Sequence, residues 1–300
     1  MVGDRAVGFV QNILSRKVSP QEAAIASAVV LLMLGGEFSD LERTVLSLLR
    51  DQYPPLSRMR NEVFMQAIDT VLEMIRREGI CADIHHFVYD YLLPALPNPQ
   101  DRLGVYRLTY AVAMSNLNVD DLERAFLEEV RFGLKIDRKT AQTIEASVDA
   151  DLEALYKAVA TITVGLMVVT ADGQVQDAEI ATLHTDRGLA QTLAPLDDVQ
   201  FSHMYDLALS LYNRFLTDEI DRRAFLYNAV PRLLDTRELR LQAFRYGASI
   251  CTSDGDVATA EVNVLKDILT AFDIKDDEGE AIFNTYMDRV KSIDGRPLIQ

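Results

Sequence analysis

A five-residue phrase, repeated at fixed spacing, constrains this chain more than any bulk property does. Ala171-Asp172-Gly173-Gln174-Val175, followed by Glu179, recurs as Ser253-Asp254-Gly255-Asp256-Val257, followed by Glu261. Two decayed copies precede them: Leu34-Gly35-Gly36-Glu37-Phe38 with Glu42, and Ser115-Asn116-Leu117-Asn118-Val119 with Glu123. Gly36 and Glu42 map onto Gly173 and Glu179 at an offset of 137. Val119, Glu123 and Ile136 map onto Val257, Glu261 and Ile274 at an offset of 138. Within each half the two phrase glutamates stand 81 or 82 residues apart. Self-similarity held over such a distance predicts a tandem duplication, each copy containing a smaller internal repeat. The expected units are 1–148 and 149–300, joined through the polar stretch 147–153, itself expected to be helical.

The segments between phrases carry helical periodicity. Val63, Ala67, Ile68, Val71, Leu72 and Ile75 form one stripe, with Asp69, Glu73 and Arg76 off it. Leu207, Leu211, Phe215 and Leu216 form another. Strand alternation of useful length is missing, and prolines such as Pro54-Pro55 and Pro94 punctuate the pattern. The expected fold is all-α: two tandem helical domains, each with an internal helix–loop–helix pseudo-repeat.

A net charge of −16 argues against a nucleic-acid partner and against binding to an anionic membrane, both of which require Lys and Arg. Residues 1–150 hold 16 basic and 21 acidic side chains, and residues 151–300 hold 14 and 25. The half with the intact phrases is thus the more acidic. The longest apolar stretches, 23–36 and 158–171, are shorter than the roughly 20 residues of a membrane span, so no direct membrane insertion is expected. Cys81 and Cys251 have no disulfide or zinc-knuckle spacing, and both read as buried thiols. A cytoplasmic protein is the expectation.

Asp-Gly after a helix is turn chemistry, because glycine reaches positive φ at low cost and aspartate tolerates the bend. The following Val or Phe is expected to pin the loop to the core. The glutamate then falls in the first turn of the next helix, where the helix dipole favours negative charge. Ser39 with Glu42, and Asp120 with Glu123, fit the capping-box spacing.

A cation site is the sharper reading. Placing Asp254 at position 5 of an EF-hand loop puts Gly255 at 6, Val257 at 8 and Glu261 at 12, and Asp172 starts the same series. Positions 1 and 3, however, are Ile250 and Thr252, or Val168 and Thr170, so neither loop is an EF-hand. Two half-sites brought together would offer five carboxylates: Asp172, Glu179, Asp254, Asp256 and Glu261.

This pattern of two acidic phrases about 80 residues apart in an acidic helical unit resembles the TerB tellurite-resistance family. Residues 155–290 carry the resemblance, and residues 20–145 resemble a diverged second copy. The resemblance implies an all-helical unit that binds a divalent cation, calcium above all, through the five carboxylates just named. It also implies a bacterial stress-response context, protein partners, a membrane-associated assembly, and no enzymatic activity. In the first copy Gly35, Asn116 and Asn118 replace Asp172, Asp254 and Asp256, so that unit is expected to be metal-free. The alternative is a helical adaptor with no metal site.

Other candidates are weaker. Cys81 and His85, with His86, lack a second cluster to complete a zinc site. His184 and His203 are isolated, and no nucleotide-binding or nucleophile motif is present. A metal-dependent hydrolase would need a general base, and Asp177 is the nearest spare acid, without a constellation around it. The cluster Asp273, Asp276, Asp277, Glu278 and Glu280 reads as a solvated helix start.

Overall fold

The computed structural model describes residues 18–34, 38, 40–78, 83–116, 119–173, 175–216, 218–255 and 257–293. Cys81, Asp256, most of the first decayed phrase, Leu117 and Asn118 lie outside them, as does the side chain of Glu42. The fold is all-α, with no strand among the described residues. Chain contacts divide it into two compact units, Met1–Leu152 and Glu153–Gln300.

The first unit contains α1 (Pro20–Leu34), α2 (Asp40–Leu49), α3 (Asn61–Glu78), α4 (84–95), α5 (Pro99–Ala113) and α6 (Asp121–Gly133). Helix α7 (Arg138–Val169) runs through the boundary between the units. The second unit continues with α8 (Asp177–Thr185), α9 (Asp198–Phe215), α10 (219–233), α11 (Arg237–Cys251), α12 (Thr259–Ala271) and α13 (Asp276–Ile293). Helices α3 and α9 have the same length at an offset of 137 at both ends, as α5 and α11, and α6 and α12, do at 138. The corner after each last pair also repeats: Lys135 and Asp273 adopt φ of +60° and +54°. There Ile136 N–H donates to Arg131 O and Ile274 N–H to Leu269 O, both at 3.0 Å.

Burial follows the patterning. Helix α1 is apolar from Ala23 to Leu31 except at Ser27 and is fully covered there, packed against α3 and α5. Its counterpart is the C-terminal part of α7. That helix is long and apolar enough to span a membrane by composition, longer than the apolar stretch within it suggests. As 72% of its apolar window is buried inside the protein, it reads as a core helix. On α3 the buried stripe is Phe64, Ile68, Val71, Leu72 and Ile75, while Val63 is turned outward. Helices α4 and α10 each contain a π turn, Phe87–Leu92 and Phe225–Ala229, just before Pro94 and Pro231. A proline inside a helix has no N–H and crowds the carbonyl four residues back, and a widened turn accommodates both effects.

The two units solve the same crossing differently. In the first, Ser27 of α1 and Thr109 of α5 are hydrogen-bonded at 2.8 Å in a fully buried position. The Thr109 hydroxyl donates to Val105 O, so Ser27 is the donor to Thr109. The equivalent positions in the second unit are Val164 and Gly247, where a methyl group on Gly247 would touch Val164 at 3.8 Å. A polar pair in one copy is an apolar large–small pair in the other.

Candidate functional site

The two Asp-Gly loops of the second unit take the same conformation. Leaving α7, Thr170 N–H donates to Leu166 O and Gly173 N–H to Thr170 O, at 3.0 and 3.2 Å. Leaving α11, Thr252 N–H donates to Ala248 O and Gly255 N–H to Thr252 O, at 3.3 and 3.2 Å. Gly173 and Gly255 close these turns at φ of +78° and +79°, where any Cβ is strained. Each loop then starts a helix whose third residue reaches back to its own beginning. Glu179 Oε2 accepts from Gln176 N–H, and Glu261 Oε2 from Ala258 N–H, both at 2.8 Å. The spacing of the phrase is therefore cap geometry first.

The glutamates do more than cap. Glu179 and Glu261 are only 3% and 6% exposed, and their carboxyl groups lie next to each other. Burial first, then the contact and charge of Glu179 and the charge of Asp172, push Glu261 up to about 7, against the pull of the Ala258 N–H. Glu261 therefore keeps its proton to near neutrality. Cys251, in the last turn of α11, is buried beside them. That burial, together with the charges of Glu261, Glu179 and Asp254, pushes its thiol far up and keeps it protonated.

Four of the five expected ligands, Asp172, Glu179, Asp254 and Glu261, thus act on one small region, and Asp256 lies outside the described residues. Among the described residues, no three His, Cys, Asp or Glu side chains are grouped so as to hold a metal ion. Val175 does not pin its loop: it is 57% exposed, and Val257 is half-buried. The glycine turn and the glutamate cap hold the loop instead.

The first unit keeps the cap. Asp120 N–H donates to Glu123 Oε2 at 2.9 Å and Glu123 N–H to Asp120 Oδ1 at 2.8 Å, a complete capping box on a buried glutamate. Burial of this glutamate is therefore a property of the repeat, present in a copy that has lost the aspartates. Elsewhere, His85 pairs with Glu129 at 2.7 Å and His86 with Asp90 at 2.6 Å. His184 lies against the ring of Phe201. The acidic cluster does open α13, where Glu278 pairs with Arg237.

Sequence reasoning passed over the surroundings of the loops. A cleft of about 260 Å³ adjoins them, with Ala171 and Ala260, the neighbours of Asp172 and Glu261, in its wall and Tyr212, Arg222, Arg223 and Asn263 around it. Comparing the two copies residue by residue would have exposed it, because Ile75, Ile84 and Ala125 occupy the places of Tyr212, Arg222 and Asn263 in the first copy. No family model, curated protein or solved structure matches the chain.

Proposed function

We propose that the chain is a non-enzymatic, TerB-like tandem helical scaffold whose second unit binds a divalent cation, calcium in preference to magnesium. The observation that carries this reading is the meeting of the two loops: the buried Glu179 and Glu261 lie next to each other, and Asp172 and Asp254 lie close enough for their charges to act on Glu261 and Cys251. All the candidate donors are hard oxygens, the chemistry that calcium takes. Each glutamate has one oxygen on its helix cap, which leaves the other for a cation that would take the place of the Glu261 proton. Asp172, Glu179, Asp254 and Glu261, joined by Asp256, would hold it. The cation would relieve carboxylate repulsion and tie the start of α8 to the start of α12, rigidifying the unit. The first unit, lacking those aspartates, would serve for packing and for protein partners in the cytoplasm, including a membrane-associated assembly.

The test is a calorimetric titration of the full-length protein with calcium and with magnesium at pH 8. Saturable calcium binding that disappears in the double variant Asp172→Ala, Asp254→Ala supports the reading, and no heat up to millimolar calcium overturns it. One observation favours a second reading, a metal-free helical adaptor: Glu123 caps and is buried in the same way without the aspartates. Under that reading the double variant and the parent show the same melting temperature with and without calcium.

A further inference from the structure

We propose that the cleft beside the acidic loops of the second unit binds a small organic anion, a carboxylate or a phosphate, through the guanidinium groups of Arg222 and Arg223. This goes beyond the cation reading and does not depend on it.

The cleft is built from four helices. Its floor is apolar, with Met167 and Leu226 buried beneath it, and its walls carry Tyr212, Arg222, Arg223 and Asn263, with Glu219 and Asp267 on the Arg223 side. Arg222 is half-buried and has no carboxylate within ion-pair distance among the described residues. Its one recorded side-chain bond is long, from Nη1 to Tyr212 Oη at 3.4 Å. That bond has a fixed direction. Thr170 Oγ1 donates to Leu166 O, so Tyr212 must donate to Thr170, at 2.6 Å, and its oxygen is left to accept from Arg222. Arg222 therefore faces the cleft with several N–H donors uncommitted.

Arg223 lies beside Tyr227 and has acidic neighbours, Glu219 at 3.9 Å and Asp267 at 3.6 Å, both beyond hydrogen-bond length. Two guanidiniums facing two such loosely placed carboxylates leave donor geometry for a planar or tetrahedral oxyanion, which arginine binds in bidentate fashion. The volume, about 260 Å³, corresponds to roughly eight water molecules. It suits an anionic head with a small apolar body lying on Leu226 and Met167.

The duplication argues that these side chains are not incidental. Arg223 and Asp267 of the second unit correspond, at an offset of 138, to His85 and Glu129, which pair at 2.7 Å in the first. That edge of the scaffold is thus polar in both copies. The inner positions are not: Tyr212, Arg222 and Asn263 stand where the first copy has Ile75, Ile84 and Ala125. The polar cleft occurs in the unit with intact acidic phrases, and Ala171 and Ala260 link its wall directly to Asp172 and Glu261.

The test titrates the full-length protein, in EDTA and at constant ionic strength, with sodium benzoate and separately with inorganic phosphate, read by calorimetry and by arginine side-chain NMR. Saturable binding of either probe, weakened about tenfold or more by Arg222→Gln and again by Arg223→Gln, is the expected result. Benzoate alone would assign a carboxylate ligand, and phosphate alone a phosphate. Asn263→Leu, at an exposed position, narrows the cleft without changing charge and should also weaken binding, which guards against a misfolded arginine variant. No saturable response to either probe, or equal titrations for the parent and Arg222→Gln, would overturn the proposal. Because EDTA is present throughout, failure here leaves the cation reading untouched, and failure there leaves this one untouched.

Discussion

Glu179 and Glu261, 82 residues apart in the chain, bring together two buried carboxyls that each cap a helix. Burial and the neighbouring carboxyl both favour the neutral form of Glu261, so its protonation is part of folding.

Stability should therefore fall as pH rises toward neutrality. Glu261 is raised in the folded state, to about 7, from the ordinary range near 4.5. An acid whose folded pKa is raised stabilises the fold fully below its unfolded pKa, and that contribution is lost as pH rises through the folded value. The window is about pH 4.5 to 7, and the loss is on the order of 2 kcal/mol once solvent screening at the loop is allowed for. Melting temperatures measured from pH 4.5 to 8.5 should decline for the parent relative to Glu261→Gln, which stays neutral. Parallel curves for the two proteins would show that Glu261 does not hold the proton.

Calcium, if it takes the place of that proton, must compete with it. Affinity should weaken by up to about tenfold for each pH unit below 7, since binding requires the ionised carboxylate. Calorimetry at pH 8 and pH 6 in the same salt measures this. A dissociation constant that does not move between them would place the cation away from Glu261.

The loop glycine and the corner lysine make opposite predictions from the same backbone physics. A methyl group on Gly173 would meet nothing within 4 Å, so Gly173→Ala changes only the strain at φ +78° and should cost about 1–2 kcal/mol. Lys135 already sits at φ +60°, so Lys135→Gly should gain about 0.5–1 kcal/mol. Thermal unfolding should show the first variant several degrees lower and the second slightly higher. A stabilised Gly173→Ala would mean that the loop adopts another conformation.

The helices, their repeat offset and the helix-starting role of the phrase were legible because each rests on local periodicity and turn chemistry. The raised pKa of Glu261 was not, because part of it comes from Glu179 arriving from another helix, a contact that spacing alone does not encode. Val175 shows the limit from the other side: an apolar residue after a turn suggests an anchor, but the glycine and the cap already fix the loop and leave it outside. Tyr212, Arg222 and Asn263 come from three helices, each ordinary in its own segment, and they stand out only against the isoleucines and alanine of the first copy.

That comparison also predicts a packing exchange. In the first unit the ring of Tyr53 lies on Gly104, where a Cβ would come within 2.4 Å of Cδ2, and the ring cannot swing freely because its hydroxyl donates to Asp101 at 2.9 Å. The equivalent residues in the second unit are Ala190 and Gln242, a small–large pair in reverse order. Gln242 there accepts from Gln191 N–H at 2.7 Å, a bond the first unit has no counterpart for, because Pro54 stands at that place without an N–H. Gly104→Ala should cost about 2 kcal/mol by overpacking, and Tyr53→Ala about 3 kcal/mol or more by leaving a cavity. The double variant should cost less than the two added together, by about 1 kcal/mol or more, since removing the ring makes room for the methyl. Chemical denaturation of the four proteins closes the cycle, and additivity within about 0.3 kcal/mol would mean that ring and glycine are not in contact.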